Sequence, residues 1–75
     1  MKITVDTGKW AIRYTGIESV CIDLPEQSTV ADVINNLKLP PDETGISAIN
    51  GNAVPREHVL LNGDVLKIYP AIIGG

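Results

Sequence analysis

No phenylalanine occurs among the 75 residues, and cysteine, histidine, tryptophan and methionine occur once each. A single cysteine, Cys21, excludes an intrachain disulfide, and one thiol with one imidazole, His58, falls short of a zinc ligand set. A reducing compartment suits that composition. The chain contains no apolar run of about 18 residues, and MKITVDTGKW lacks the apolar core of a signal peptide. A cytoplasmic location with no membrane partner is therefore expected. The six basic residues, Lys2, Lys9, Arg13, Lys38, Arg56 and Lys67, are scattered through a chain of formal net charge −3. That pattern disfavours nucleic acid as a partner, because phosphate binding needs clustered positive charge.

Enzyme signatures are missing too. There is no Gly-x-Ser-x-Gly, no His-Asp-Ser set and no phosphate-cradling glycine loop. Ser19, Ser28 and Ser47 fall in ordinary strand, cap or loop contexts. Cys21 is out of phase with Val20, Ile22 and Leu24 and so faces away from them, as a structural or incidental thiol. His58 reads as a solvated surface residue, and Asp42 and Glu43 as loop solvation. A chain this short makes one domain at most and cannot enclose a catalytic cleft. No enzyme activity, bound cofactor or metal is expected.

What is present is the make-up of an ordinary globular domain, 44% apolar and 20% charged. KITVD and SVCIDLP alternate apolar and polar residues with a period of two, the pattern of half-buried strands. GKWAIRYTG, between Gly8 and Gly16, is open to three readings: an extended hairpin loop, a short helix carrying Trp10, or further strand. In STVADVINNLKLPP, Val30, Val33, Ile34 and Leu37 mark one helical face. Thr29 is placed to cap that helix, Asp32 suits its positive end, and Pro40-Pro41 forbids its continuation, so it should span about 30 to 38. Asn50-Gly51 within ISAINGNAV signals a tight hairpin turn, since both residues tolerate positive φ. LNGDVLKIYP repeats that signal at Asn62-Gly63-Asp64 before a last strand, which Pro70 should end or place at an edge. The order β-β-α-β-(β)-β fits an α+β roll of β-grasp shape, a mixed sheet with one helix across it. The domain should span 1–70, with 71–75 a flexible tail.

That tail, after Pro70, reads Ala71-Ile72-Ile73-Gly74-Gly75. The α-carboxylate of Gly75 is its distinctive reactive group. A carboxylate is a poor acyl donor until its oxygen becomes a leaving group, as ATP-dependent adenylation makes it. Extended, residues 71–75 reach roughly 16 Å, enough to thread a partner's channel. Glycine at both final positions allows close backbone approach, and Ile72 and Ile73 would then be buried in the partner. The exposed sheet face, with Tyr69 and Pro70 at its tail end, is the expected partner interface.

LPEQSTVADVINNL, AINGNAV and NGDVLKIYPAIIGG, in that order, resemble the ubiquitin-like sulfur carriers, which include the small subunit of molybdopterin synthase (MoaD) and the carrier of thiazole biosynthesis (ThiS). The last segment is similar to the family ending "D-G-D-x-V-x-x-x-P-x-x-x-G-G". The resemblance implies that an E1-like enzyme uses ATP to adenylate Gly75. A sulfur donor system then converts the adenylate to a thiocarboxylate, which passes sulfur to an acceptor synthase, with Gly74 giving clearance. WAIRYTG resembles the "F-A-x-L-R-E-x-x-G" stretch of molybdopterin synthase small subunits and favours that branch, as does Tyr69-Pro70 near the end, with the molybdopterin synthase large subunit as acceptor. NGNAVPRE looks like the "N-x-x-x-V-P-R" of thiazole carriers, whose acceptor is thiazole synthase. Thiazole synthesis is one alternative, and a ubiquitin-like protein modifier is another.

Overall fold

The computed structural model describes residues 1–71. The two alternating segments form β1, Lys2–Asp6, and β2, Ser19–Asp23. They pair antiparallel, with Ile3 opposite Ile22 and Val5 opposite Val20. Ile3 and Val5 are fully buried, whereas Val20 and Ile22 are half-buried because β2 lies at the sheet edge. Cys21 points to the other side and is exposed, as its phase predicts.

Of the three readings of the link between these strands, the short helix is the one adopted. Residues Lys9–Ala11 make a 3-10 turn that runs into α1, Ile12–Thr15. Ala11 is fully buried, and Trp10 and Tyr14 pack beside the core. Tyr14 lies four residues after Trp10, so the two rings share one helical face.

The principal helix, α2, spans Val30–Asn36. Thr29 Oγ1 accepts the Asp32 N–H at 3.3 Å, and the Asp32 carboxylate accepts the Thr29 N–H at 2.8 Å. This reciprocal pair satisfies two donors that the first turn would leave unpaired. Val30, Val33 and Ile34 are buried against Ile3, Val5, Leu66 and Ile68, with Leu37 alongside. Full burial of such a side chain is worth about 1.5–3 kcal/mol, so this stripe, more than intrinsic propensity, holds so short a helix in place.

The helix ends sooner than the expected 38. Its stop is set before the prolines, by Lys38 at φ 57°. The Lys38 N–H donates to the Asn35 carbonyl and the Leu39 N–H to the Ile34 carbonyl, both at 3.1 Å. That bond pattern with a left-handed residue is a Schellman cap, and Leu39 and Ile34 supply its apolar contact. A side chain in this conformation is strained by about 1–2 kcal/mol, part of which glycine gives back in unfolded-state entropy. Lys38→Gly is therefore expected to stabilise the fold by about 0.5 kcal/mol, seen as a melting point about 2–4 °C higher. A lower melting point would show that the lysine side chain outweighs its backbone strain.

A 3-10 turn at Pro41–Glu43 leads into β3, Thr44–Ile49, which turns at Asn50-Gly51 into β4, Asn52–Val54. Asn50 has φ 53° and Gly51 φ 80°, the doubly left-handed turn expected from this dipeptide. The second asparagine-glycine site behaves differently, because it does not join two paired strands. The Leu61 carbonyl accepts the Asp64 N–H across the turn, while the Gly63 N–H donates to the Lys2 carbonyl at 2.8 Å. Asn62 Oδ1 also accepts the Lys2 N–H at 2.8 Å. The turn thus docks on the start of β1 and aims the chain into β5, Val65–Pro70, which runs parallel to β1.

Among the described residues the strands form one five-stranded sheet in the order β2-β1-β5-β3-β4. The last strand of the described residues is therefore the central one, and Pro70 is its final residue, opposite Thr44 of β3. A proline without an N–H is tolerated there because the ladder is ending. With α2 across one face, this is the mixed α+β roll expected from the order of elements.

Candidate functional site

Because β5 is central and alternates, Leu66 and Ile68 enter the core beneath α2 while Val65, Lys67 and Tyr69 stand on the opposite face. Tyr69 is 49% exposed and Ile46 of β3 is 64% exposed. With Gly45 and Pro70 these two line a shallow apolar depression of about 410 Å³ beside the end of β5. Tyr69 also borders a second depression, of about 250 Å³, lined on its far side by Asp6, Gly8 and Trp10. The expected interface residues Tyr69 and Pro70 thus meet on one exposed surface where β5 ends. The other expected site residues, Ile72, Ile73, Gly74 and Gly75, lie outside the described residues, as does all of the expected tail except Ala71.

The end of β5 is held at three points. The Trp10 indole N–H donates to the Ile68 carbonyl at 3.1 Å. The Ala71 N–H donates to the Glu43 carbonyl at 2.9 Å. On β3, two residues after Glu43, Gly45 lies against the backbone: a Cβ built there would stand 2.6 Å from the Pro70 carbonyl oxygen and 3.1 Å from the Ala71 Cα. The β3–β5 register shifts between Thr44 and Ser47, and Gly45 sits in that irregularity. Glycine in an irregular strand commonly marks such a close backbone approach.

The 3-10 turn that carries the Glu43 carbonyl is itself anchored. The Tyr14 hydroxyl donates to Glu43 Oε2 at 2.6 Å, and Arg13 lies 3.5 Å from Glu43 Oε1. The Arg13 guanidinium sits 5.2 Å from the centre of the Tyr14 ring, and the Trp10 and Tyr14 rings meet edge to face at 6.5 Å. The hydrogen bond to Glu43 raises the Tyr14 phenol above its ordinary value; desolvation adds to this and the Arg13 charge opposes it. What the phenol contributes is thus fully present below its ordinary pKa and is lost only as pH rises through the higher folded value. From the other side, Arg56 Nη2 donates to the Pro41 carbonyl at 2.8 Å and to Thr44 Oγ1 at 2.7 Å.

Glu43 is therefore not loop solvation: its carboxylate is half-buried and bonded to α1, because the turn folds back against that helix. His58 is half-buried, and its carbonyl accepts the Val30 N–H at 3.1 Å. Trp10, Tyr14, Glu43, Gly45 and Arg56 are the residues that reading the sequence did not place at this site. The four-residue spacing of Trp10 and Tyr14 was an available signal, whereas Gly45 and Glu43 carried none. Among the described residues no group of three or more His, Cys, Asp or Glu could hold a metal ion, and no helix is long and apolar enough to cross a membrane.

A five-stranded mixed sheet crossed by one principal helix, with its last strand in the centre, is the ubiquitin-like β-grasp fold. Residues 9–75 match the ThiS family, and the chain belongs to that family. No curated protein sequence matches it. Among solved structures it is similar to a molybdopterin converting factor subunit 1 from Pyrococcus furiosus, with a TM-score of 0.80 and 24% identity over 96% of this chain and 99% of that one. SAMP1 from Haloferax volcanii gives 0.78 and 20% identity, with both chains covered in full. A chain from the complex of subunits 1 and 2 of the molybdopterin-converting factor of Helicobacter pylori gives 0.63 and 19%, again with both covered in full.

Proposed function

We propose that the protein is a sulfur carrier that works through the carboxylate of Gly75. An E1-like enzyme would use ATP to adenylate that carboxylate, and a sulfur donor system would replace the adenylate with sulfur to give a thiocarboxylate. The carrier would then deliver the sulfur to an acceptor synthase, acting as its small non-catalytic partner. The observation that carries this reading is the ThiS-family match, which runs through the strand, the tail and Gly75 itself. The surface around Tyr69 supports it, because an apolar depression beside the end of β5 suits docking of a partner that takes up the chain beyond it. The division into a 1–70 domain with a working tail and a cytoplasmic location belong to the same proposal.

Molybdopterin synthesis is the favoured pathway, with a molybdopterin synthase large subunit as acceptor. The fold's similarity to a chain of the Helicobacter pylori complex of converting-factor subunits 1 and 2 supports that choice. Thiazole synthesis is the alternative nearest to the family's description. Similarity to a small archaeal modifier protein favours a further reading, in which Gly75 is joined to lysines of other proteins.

Intact mass measured on protein purified from its native host separates carrier from modifier. A carrier is expected to show a population heavier by the exchange of one oxygen for sulfur, discharged by incubation with its acceptor synthase and the substrate that synthase sulfurates. Isopeptide conjugates without that population would replace the carrier reading with the modifier.

A further inference from the structure

We infer that Gly45 is a positioning residue for the carboxyl-terminal segment: its missing side chain lets β5 leave the sheet in the direction set by the Trp10 and Glu43 hydrogen bonds. The inference rests on the carrier reading for its consequence in activity, while its structural content stands on three backbone contacts alone. Each of the three constraints acts on backbone. The Trp10 indole holds the Ile68 carbonyl, the Glu43 carbonyl holds the Ala71 N–H, and Gly45 of β3 lies flush against the Pro70 carbonyl. Constraints on backbone define where the chain goes whatever side chains follow, as a device for aiming a segment must.

A Cβ at position 45 cannot coexist with this arrangement. It would stand 2.6 Å from the Pro70 oxygen and 2.9 Å from the Pro70 carbonyl carbon, closer than such contacts come, and neither atom belongs to a side chain that can swing away. Either β3 or the Pro70–Ala71 backbone must shift by several tenths of an ångström. β3 is held on either side of Gly45, at Thr44 by the Arg56 contacts and from Ser47 onward by its pairing with β4. Pro70 is the last residue of its strand, and Ala71 is tied by a single backbone bond. The shift therefore falls on Pro70 and Ala71, breaking the Glu43 bond and redirecting everything after it. A displaced root moves the point from which the tail must reach, and a displacement of about 1 Å at a reacting group can cost on the order of 100-fold in rate.

The test is Gly45→Ala in the full chain, read in two ways. Amide hydrogen exchange should show the Ala71 N–H exchanging at least about tenfold faster, while the amides of Leu66 and Ile68 keep their protection. Adenylation by the activating enzyme of the same organism should show kcat reduced about tenfold or more, measured at saturating carrier because Gly45 and Pro70 also line the apolar depression and KM can change with them. Trp10→Phe, which removes the indole N–H but keeps a ring, should shift kcat in the same direction by less. Unchanged Ala71 protection in Gly45→Ala, or wild-type kcat with Ala71 released, overturns the inference. If wild-type protein itself is not adenylated, the carrier reading fails, and the Ala71 amide alone decides whether Gly45 directs the chain.

Discussion

Deleting Gly75, or replacing Gly74 with valine, is expected to leave the melting point unchanged and to abolish adenylation and sulfur loading. The stability half of this result follows from the location of the core. Every buried side chain and every strand pairing of the described residues lies at or before Pro70, and substitutions beyond such features usually cost under about 0.5 kcal/mol. The activity half follows from the chemistry of the proposed donor. Removing Gly75 brings the carboxylate about 3.3 Å short of the position where it would meet nucleotide, a displacement larger than those that already cost about 100-fold. Gly74→Val keeps the length but adds a β-branched side chain, which excludes positive φ and fills space next to the backbone. Melting curves and adenylation assays on the two variants provide the check. Normal melting together with wild-type adenylation would remove the tail from the mechanism and the sulfur-carrier proposal with it.

Leu66→Ala is expected to have the largest effect on stability. Leu66 is fully buried in the central strand, opposite Val5 of β1 on one side and Ile49 of β3 on the other. Truncating such a leucine costs about 2–5 kcal/mol, as lost transfer energy plus the cavity left behind. A chain of this length has a total stability of only about 4–11 kcal/mol, so the variant should lose a large part of it and unfold near physiological temperature. Val65→Ala is the control. Val65 adjoins Leu66 in the strand but faces the other way and is 44% exposed, so its cost should be below about 1 kcal/mol. Denaturant midpoints measured on both decide the matter. Equal shifts would mean that the open face of the sheet is as tightly packed as the face under α2, which the burial pattern contradicts.

The two faces of β5 illustrate how far the sequence could be read unaided. Strands β1, β2 and β5, helix α2 with its Thr29 cap, and the Asn50-Gly51 turn were all legible, because each is written in the local spacing of apolar residues or in the φ preferences of two neighbours. The outward phase of Cys21 and Tyr69 follows from the same period of two. The ThiS-like order of segments and the glycine-rich ending were legible as well, and on them the proposal about Gly75 rests.

Local spacing cannot say which distant backbone a residue will meet. It left residues 8–16 with three readings, because Trp10 and Ala11 are ordered by the core and by the Ile68 carbonyl, not by their neighbours. It assigned the helix stop to Pro40-Pro41, when the left-handed Lys38 ends it first. It placed Glu43 in solvent, when chain crossing brings the carboxylate to Tyr14, 29 residues away in sequence. Nothing in the sequence distinguished Gly45 from an ordinary strand glycine, since its reason for being glycine is the Pro70 carbonyl across the ladder. The sequence by itself determined the elements, the faces they bury and the composition of the tail, because these depend on residues a few positions apart. Only the tertiary structure decided that the last strand lies in the middle of the sheet and which groups hold its end, because those contacts exist only once distant strands have come into register.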